Sequence, residues 1–141
     1  MTHRFATEAD CALLGEMNYQ LIRDEGHRNP MTVEELRDRM RQWIAGEYRA
    51  MVFEQSGAVV GYALFREDEN EVYLRQLFIR REIRSRGLGR KAMDILKNEI
   101  WPKDKRLTVE VLAANQAALR FWHAMGYKDY ALTLEIMPPT G

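Results

Sequence analysis

Residues 77–92 read LFIRREIRSRGLGRKA, and this stretch decides the fold class of the chain. It passes from an apolar strand through a cluster of arginines into a turn with two glycines, and that turn opens a helix. A helix N-terminus carries unpaired N–H groups and about half a positive charge, and glycine lets an anion approach the backbone closely. Six cationic side chains fall within residues 80–91, although the net charge of the chain is zero. The pattern therefore indicates a phosphate-binding loop.

Two alternative interpretations of this loop explain less of the sequence. A solvated basic loop would account for the charge, but not for two glycines at a helix start, where glycine is unfavourable unless its freedom is used. Residues 87–92 also fit the dinucleotide fingerprint G-x-G-x-x-A, with Glu110 about twenty residues further on as the ribose-binding acid. However, seven mostly charged residues, 80–86, separate the strand from the first glycine, and the chain that follows is too short for a doubly wound sheet.

A third interpretation comes from resemblance to a known family. Residues 84–89 match R-x-x-G-x-G and resemble the acyl-CoA pyrophosphate loop of the GNAT superfamily of N-acetyltransferases, and residues 73–79 look like its central strand. Downstream, a strand at 107–112 precedes residues 115–127, which are similar to the family's N-x-x-A, aromatic pair and G-[FY] motif. Two motifs in this order, covering about residues 71–130, are much harder to obtain by chance than one glycine motif.

Length and composition are those of one globular domain, residues 1–141, with 46% hydrophobic residues. No apolar run approaches the length of a membrane span and the first residues lack a secretion signal, so a cytoplasmic location and no membrane partner are expected. The basic residues cluster in one loop instead of forming a broad stripe, which disfavours nucleic acid as a partner. One cysteine, Cys11, and three scattered histidines predict neither a disulfide nor a metal site.

The hydrophobic pattern predicts an α+β fold in the element order β-α-α-β-β-β-α-β-α-β. Helix caps at Thr7 and Thr32 open the first two helices, and residues 55–57 read as a hairpin turn. The central strand is expected at residues 71–79. A last strand is expected after the final helix and before a loose tail at 137–141. As in GNAT proteins, the helices would flank a mixed, mostly antiparallel sheet.

The resemblance implies that acetyl-CoA is the acyl donor and that no metal is needed. In this family the central strand pairs through its backbone with the pantetheine arm, and amides of the glycine loop hold the pyrophosphate. A polar cap, a small residue and an aromatic residue on one face of the last helix would line the same groove. The expected CoA-binding residues are Leu77, Phe78, Ile79, Arg84, Ser85, Arg86, Gly87, Leu88, Gly89, Arg90, Asn115, Ala118 and Trp122.

Acetyl transfer requires an uncharged acceptor amine, a hydrogen-bond donor for the developing oxyanion and a proton for the departing thiolate. The resemblance implies that the backbone N–H of Phe78 or Ile79 meets the oxyanion. The family's commonest base position falls on Tyr73 in this chain. Glu71 lies two residues earlier and therefore on the same side of the strand, which makes it the best carboxylate candidate for the base.

The main departure from the family pattern is Trp122, which stands where many members have a tyrosine that protonates the CoA sulfur. Indole N–H is far too weak an acid for this step. Solvent, the amine's own proton, or the hydroxyl of Tyr73 or Tyr130 would then serve. The departure also keeps open a second interpretation, in which the chain is an acyl-CoA-binding or regulatory module with little catalysis.

The acceptor amine, on a small molecule or on a protein or peptide, cannot be identified from the sequence. In this fold the first two helices usually wall the acceptor cleft, so the substrate-binding candidates are Tyr19, His27, Arg28 and Asn29. Acidic side chains such as Glu25, Glu67, Asp68 and Glu69 could attract a cationic amine. A homodimer is common in the fold, and the sequence leaves that possibility open.

Overall fold

The computed structural model describes residues 1–84 and 86–140 and contains one five-stranded sheet with helices on both faces. The strands are β1 (Thr2–Phe5), β2 (Tyr48–Gln55), β3 (Ala58–Glu67), β4 (Glu71–Ile79) and β5 (Arg106–Val109). The helices are α1 (Cys11–Glu25), α2 (Val33–Ala45), α3 (Leu88–Ile95, continuing as a wider helical turn over Leu96–Ile100) and α4 (Gln116–Ala124). The spatial order is β1-β2-β3-β4-β5, antiparallel except for the parallel pair β4–β5. The predicted α+β class and mixed, mostly antiparallel sheet are confirmed.

Both predicted helix caps form as reciprocal hydrogen-bond pairs. The Glu35 N–H donates to Thr32 Oγ1 at 3.2 Å, and the Thr32 N–H donates to the Glu35 carboxylate at 3.0 Å. Thr7 pairs with Asp10 in the same way and opens a short turn that leads into α1. These caps satisfy N–H groups that a helix cannot satisfy internally, so they fix where the helices begin.

The two faces of the sheet carry separate hydrophobic clusters. Alternating residues of one strand show this division, because Ala50 and Val52 face α1 and α2 whereas Met51 and Phe53 face α3 and α4. Cys11 is buried in the α1–α2 cluster, and its burial raises the pKa of the thiol. The sheet is therefore a rigid layer between two helical layers, and its fourth and fifth strands position the site.

The expected strand after α4 is absent from the residues that the structure describes. Residues 127–140 form neither strand nor helix, although Tyr130, Leu132, Leu134 and Ile136 alternate as in a strand. These four side chains are between 79% and 99% exposed. Alternating apolar residues form a strand only when a neighbouring strand supplies hydrogen-bond partners. No strand among the described residues pairs with residues 127–140.

Strand β4 carries a β-bulge at Arg75. Leu64 of β3 pairs with Gln76 and the next residue, Phe65, pairs with Leu74, so Arg75 is the extra residue. Pairing between β4 and β5 begins at Glu71 and stops at Leu74. Strand β5 consequently ends at Val109 and is shorter than the predicted 107–112 strand, because β4 leaves its neighbour at the bulge.

Candidate functional site

The separation of β4 from β5 opens a cleft with a cavity of about 210 Å³. Strands β4 and β5 form its sides, the end of α1 and one residue of α2 close it on one face, and α4 reaches it from the other. Its lining residues are Leu21, Glu25, His27, Asn29, Arg39, Tyr73, Leu74, Arg75, Gln76, Leu77, Val109, Glu110 and Trp122.

The open edge of β4 presents backbone groups to this cleft. The Arg80 N–H donates to the Val60 carbonyl at 2.8 Å. Because hydrogen-bonded pairs alternate in an antiparallel ladder, Phe78 also directs its N–H and C=O to β3, whereas Leu77 and Ile79 direct theirs to the open side. Of the two expected oxyanion donors, Phe78 and Ile79, only Ile79 directs its N–H to the open side, and the amides of Leu77 and Ile79 are the ones available to a ligand.

The N-terminus of α3 has the geometry of an anion-binding end. Gly87 caps the helix with φ of +73°, in the left-handed region that favours glycine. Leu88 is 3% exposed and anchors the first turn in the core. The first amides of a helix have no intrahelical acceptor, so the N–H groups of Leu88, Gly89 and Arg90 are available to a phosphate. Ser85, another expected ligand-binding residue, lies outside the described residues.

Some of the cationic side chains of residues 80–91 have a structural role and hold the loop against α1. Asp24, at the end of α1, forms ion pairs with Arg81 and Arg84, and Arg84 also donates through Nε to the Ile79 carbonyl at 2.8 Å. These contacts tie the loop to α1 and leave Arg84 with less capacity for a phosphate than the sequence predicts. Arg86 and Arg90 are exposed beside the start of α3 and form no ion pair with any described residue.

Gly89 serves helix packing. A Cβ at this position would lie 3.3 Å from Cε1 of Phe121, on α4. Gly89 is expected from the sequence to leave room for a phosphate, but a side chain at this position would point towards the neighbouring helix. The close approach of α3 to α4 therefore depends on this glycine, while its backbone N–H stays at the helix start.

The start of α4 is fixed by Asn115, whose Oδ1 accepts a hydrogen bond from the Ala118 N–H at 3.2 Å. Ala118 packs against the core beneath α3 and α4. Trp122 is 8% exposed and lies edge-on to the rings of Phe121 and Tyr127, with ring centres 4.9 and 5.4 Å away. Because Trp122 also lines the cleft, it can supply shape and exclude water there.

The two expected catalytic residues lie in different places. Tyr73 lines the cleft, where burial and the nearby Glu110 carboxylate raise the pKa of its hydroxyl to about 12. Glu71 lies at the start of β4, outside the lining, and its carboxylate forms a 3.0 Å ion pair with Arg106. The structure thus does not bring Glu71 to the cleft. Tyr130, an expected alternative proton donor to the CoA sulfur, does not line the cleft either, because this residue is 86% exposed and its ring lies under the guanidinium of Arg106.

Of the four expected acceptor-binding residues, His27 and Asn29 line the cleft, whereas Tyr19 and Arg28 do not. Tyr19 packs under the guanidinium of a neighbouring arginine on α1. Arg28 turns away and forms a 2.9 Å ion pair with Glu135 in the C-terminal segment. The loop between α1 and α2 therefore divides its side chains between the cleft and the C-terminal segment.

Glu25 is a carboxylate with the environment of a base. It lines the cleft beside His27, whose Nε2 lies 3.4 Å from Glu25 Oε1. Burial raises the pKa of Glu25, while the neighbouring imidazole opposes this effect. By contrast, the acids Glu67, Asp68 and Glu69 belong to the β3–β4 turn and line a separate shallow cavity.

Sequence reasoning missed Arg39 and Arg75 as residues of the site. Arg39 interrupts the apolar stripe of α2 between Leu36 and Met40, and Arg75 interrupts the apolar run of β4. Charged residues inside otherwise apolar segments were the available signal. Their approach to each other depends on the bulge in β4, which no sequence pattern indicates.

The comparisons with known proteins agree with this geometry. Residues 15–135 match the family model described as acetyltransferase (GNAT) domain. The chain belongs to the GNAT family. It is an acyltransferase, an N-acetyltransferase that moves an acetyl group to an amine.

Two curated relatives cover most of this GNAT protein. The L-methionine sulfoximine/L-methionine sulfone acetyltransferase of Salmonella typhimurium is 29% identical over 138 residues, 90% of this chain and 80% of the relative. The L-amino acid N-acyltransferase MnaT of Escherichia coli is 30% identical over 139 residues, 90% of this chain and 79% of the relative.

Solved structures show the same fold. A possible acetyltransferase from Clostridium difficile superposes with a TM-score of 0.81 at 12% identity, covering 99% of this chain and 98% of the other. A predicted acetyltransferase from Clostridium acetobutylicum, determined with acetyl-CoA, superposes with a TM-score of 0.72 at 16% identity, covering 96% and 95%.

Residues 1–84 and 86–140 contain neither a membrane-spanning helix nor a cluster of metal-binding side chains. No helix in this part of the chain is long and apolar enough to cross a membrane. No group of three or more His, Cys, Asp or Glu side chains in it could hold a metal ion.

Proposed function

We propose that this GNAT enzyme transfers the acetyl group of acetyl-CoA to the primary amine of a small molecule, bound in the cleft between β4 and β5. The observation that carries the proposal is the cleft itself, which lies between the open edge of β4 and Trp122 of α4 and is continuous with β4, the strand that leads into the glycine loop. The two curated relatives, named for methionine derivatives and L-amino acids, support a small acceptor. The reaction would take place in the cytoplasm without a resident metal.

Acetyl-CoA would lie along the open edge of β4 with its pyrophosphate at the start of α3. The N–H groups of Leu77 and Ile79 and the carbonyl of Leu77 would pair with the pantetheine arm, as an added strand pairs with a sheet edge, since the Ile79 carbonyl already accepts a hydrogen bond from Arg84. The amides of residues 87–90 would hold the pyrophosphate, and Arg86 and Arg90 would add charge-assisted hydrogen bonds. Asn115, Ala118 and Trp122 would line the other side of the arm.

In the chemical step the amine nitrogen attacks the thioester carbonyl, so a C–N bond forms and the C–S bond breaks. Glu25 would accept the proton that the amine must lose, directly or through one water, because partial burial raises its pKa and makes it a stronger base than an ordinary glutamate. The oxyanion would accept a hydrogen bond from an open-side amide of β4, that of Leu77 or Ile79.

Tyr73 would assist the departing sulfur as a hydrogen-bond donor. With a pKa of about 12 its hydroxyl keeps its proton at neutral pH. Complete transfer to the thiolate would be uphill, because a free thiol has a pKa of about 8.5. CoA would therefore leave as a hydrogen-bonded thiolate and take its proton from solvent or from protonated Glu25.

Acetyl-CoA should stabilise the protein against heat, whereas NAD should not. A ligand that binds only the folded state adds about 2.7 kcal/mol of stability at a hundred times its dissociation constant. A thermal-shift titration with acetyl-CoA, CoA and NAD measures this directly. A clear response to NAD with none to CoA would contradict the proposed loop function.

A homodimer stays a prediction, supported by the exposed apolar side chains of residues 130–136. These alternate along a segment without a partner strand, and β5 is the last strand of the sheet. Exchange of this segment between two copies would cover both features. Sedimentation velocity should therefore show a dimer that weakens when Leu132 and Leu134 are both replaced by serine. A monomer at all concentrations would exclude the dimer.

A further inference from the structure

Two arginines meet on one tryptophan at the wall of the cleft. The guanidinium carbon of Arg39 lies 4.2 Å from the centre of the Trp43 ring, and that of Arg75 lies 4.7 Å from it. The bulge makes this possible, because it turns Arg75 to the same face as its neighbour Gln76, whose side chain accepts a hydrogen bond from the Tyr62 hydroxyl at 2.8 Å. Both arginines line the cavity.

This pair of cations has no counter-charge in the part of the chain that the structure describes. Arg39 donates to Asn18 Oδ1 at 3.1 Å and Arg75 donates to the Tyr48 hydroxyl at 3.3 Å, but neither forms an ion pair with an acid among residues 1–84 and 86–140. The Nε atom of Arg39 is buried and lacks any partner among these residues. Burial, and then the neighbouring Arg75, lower the pKa of Arg39.

Such an arrangement is costly unless an anion completes it. Arg39 is only partly buried, but its Nε–H is buried, and a buried N–H without an acceptor loses the hydrogen bond that it made in water. Stacking on Trp43 and the bond to Asn18 hold the Arg39 side chain in place, so its remaining donors are preorganised. Planar guanidinium groups match the two oxygens of a carboxylate.

The opposite charge lies elsewhere in the same cleft. Glu25, at the end of α1, and Glu110, just after β5, both line the cavity. A cleft with two cations and two anions fits a ligand that carries both signs of charge. Leu21, Leu77 and Val109 add apolar lining that suits an apolar side chain.

We infer that the acceptor is an amino acid, whose carboxylate is bound by Arg39 and Arg75 and whose amine is directed towards Glu25 and Glu110. This inference rests on the proposed acetyl transfer in the same cleft. The charges of the cleft indicate the substrate class. Helix α2 and the β4 bulge supply the two side chains that recognise the carboxylate.

The test compares amino acids with the amines that lack only the carboxylate. L-methionine, L-leucine and L-phenylalanine are assayed beside 3-(methylthio)propylamine, isoamylamine and phenethylamine, by following free CoA thiol. We expect at least one amino acid to exceed its own amine in kcat/KM by roughly a hundredfold, because charge-assisted hydrogen bonds to a carboxylate are among the strong ones.

Arg75→Gln should raise KM for the preferred amino acid by roughly tenfold to a hundredfold, a much larger loss in kcat/KM than with the matching amine. Arg39→Gln should act in the same direction. Because Arg39 also holds Asn18, the exposed Arg75 is the safer variant if Arg39→Gln fails to fold. Arg49→Gln is the matched control, since Arg49 also stacks on aromatic rings but lies outside this cleft.

A binding measurement without turnover separates recognition from chemistry. In the presence of CoA, the preferred amino acid should raise the melting temperature of the wild type and of Arg49→Gln, but not that of Arg75→Gln. Equal acetylation of amino acids and their amines would overturn the inference and leave the proposed function intact. Acetylation of neither set by a protein that binds acetyl-CoA would also count against it. Failure to bind acetyl-CoA at all would refute the proposed function itself.

Discussion

Replacing Glu25 by glutamine should lower kcat roughly a hundredfold or more, the usual scale of a general-base contribution. Glutamine keeps the size and the hydrogen-bonding capacity of the side chain but cannot accept the proton of the amine. The affinity for acetyl-CoA should change little, because Glu25 lies on the acceptor side of the cleft. Steady-state kinetics beside a thermal-shift titration with acetyl-CoA would measure both quantities.

Glu71→Gln is the matched control for this prediction. Glu71 is the carboxylate that the sequence favours, but it is paired with Arg106 outside the cleft, so its replacement should leave kcat within a factor of a few. A loss with Glu71→Gln and normal turnover with Glu25→Gln would restore the sequence-based assignment. If Glu110→Gln alone abolished turnover, the base would be the acid after β5.

The pH dependence gives an independent check on Glu25. Burial raises its pKa, Asp24 adds to the effect, and His27 and Arg84 oppose it. A base must be deprotonated to act, so kcat/KM should fall as the pH drops through a pKa that lies above the ordinary glutamate value. That acid limb should be missing from the profile of the residual activity of Glu25→Gln.

Replacing Gly61 by alanine should destabilise the protein by up to about 3 kcal/mol, the upper part of the usual range for overpacking. A Cβ at Gly61 would lie 2.1 Å from the carbonyl oxygen of Phe78, which is a severe steric clash. The obstacle is backbone, so β3 and β4 must move apart. The same movement would displace the open-side amides of Leu77 and Ile79, and turnover should fall with stability. Urea unfolding curves and kinetics at saturating acetyl-CoA would measure the two effects.

Gly89→Ala is a suitable control for the stability measurement. Its Cβ would lie 3.3 Å from the edge of the Phe121 ring, a side chain that can shift slightly. Alanine also favours the helix by about 1 kcal/mol over glycine, so the net change should be small. Equal stability losses in the two variants would mean that the contact with Phe78 is not the decisive factor at Gly61.

Local signals were enough for most of the elements. The caps at Thr7 and Thr32 are hydrogen bonds between residues three apart, and the hairpin at 55–57 needs only a turn with two positive φ angles. The strand predicted at 71–79 forms over that range. The strand expected after α4 does not form within residues 127–140. Its alternating pattern is local, but its hydrogen-bond partners would have to come from a distant part of the chain.

The sequence by itself determined the family, the order of elements up to α4 and the place of the glycine loop before α3, because these depend on neighbours along the chain and on motifs of fixed spacing. Only the tertiary structure decided which side chains share the cleft. The bulge at Arg75 is defined by pairing with β3, and it brings that arginine to Arg39, 36 positions away in the sequence. In the same way, the sequence favours Glu71 as the base and gives Glu25 only as an acid that could attract a cationic amine. In the structure Glu71 is paired with Arg106 outside the cleft, whereas the half-buried Glu25 lines the cleft beside His27, and such placements arise only when distant segments pack together.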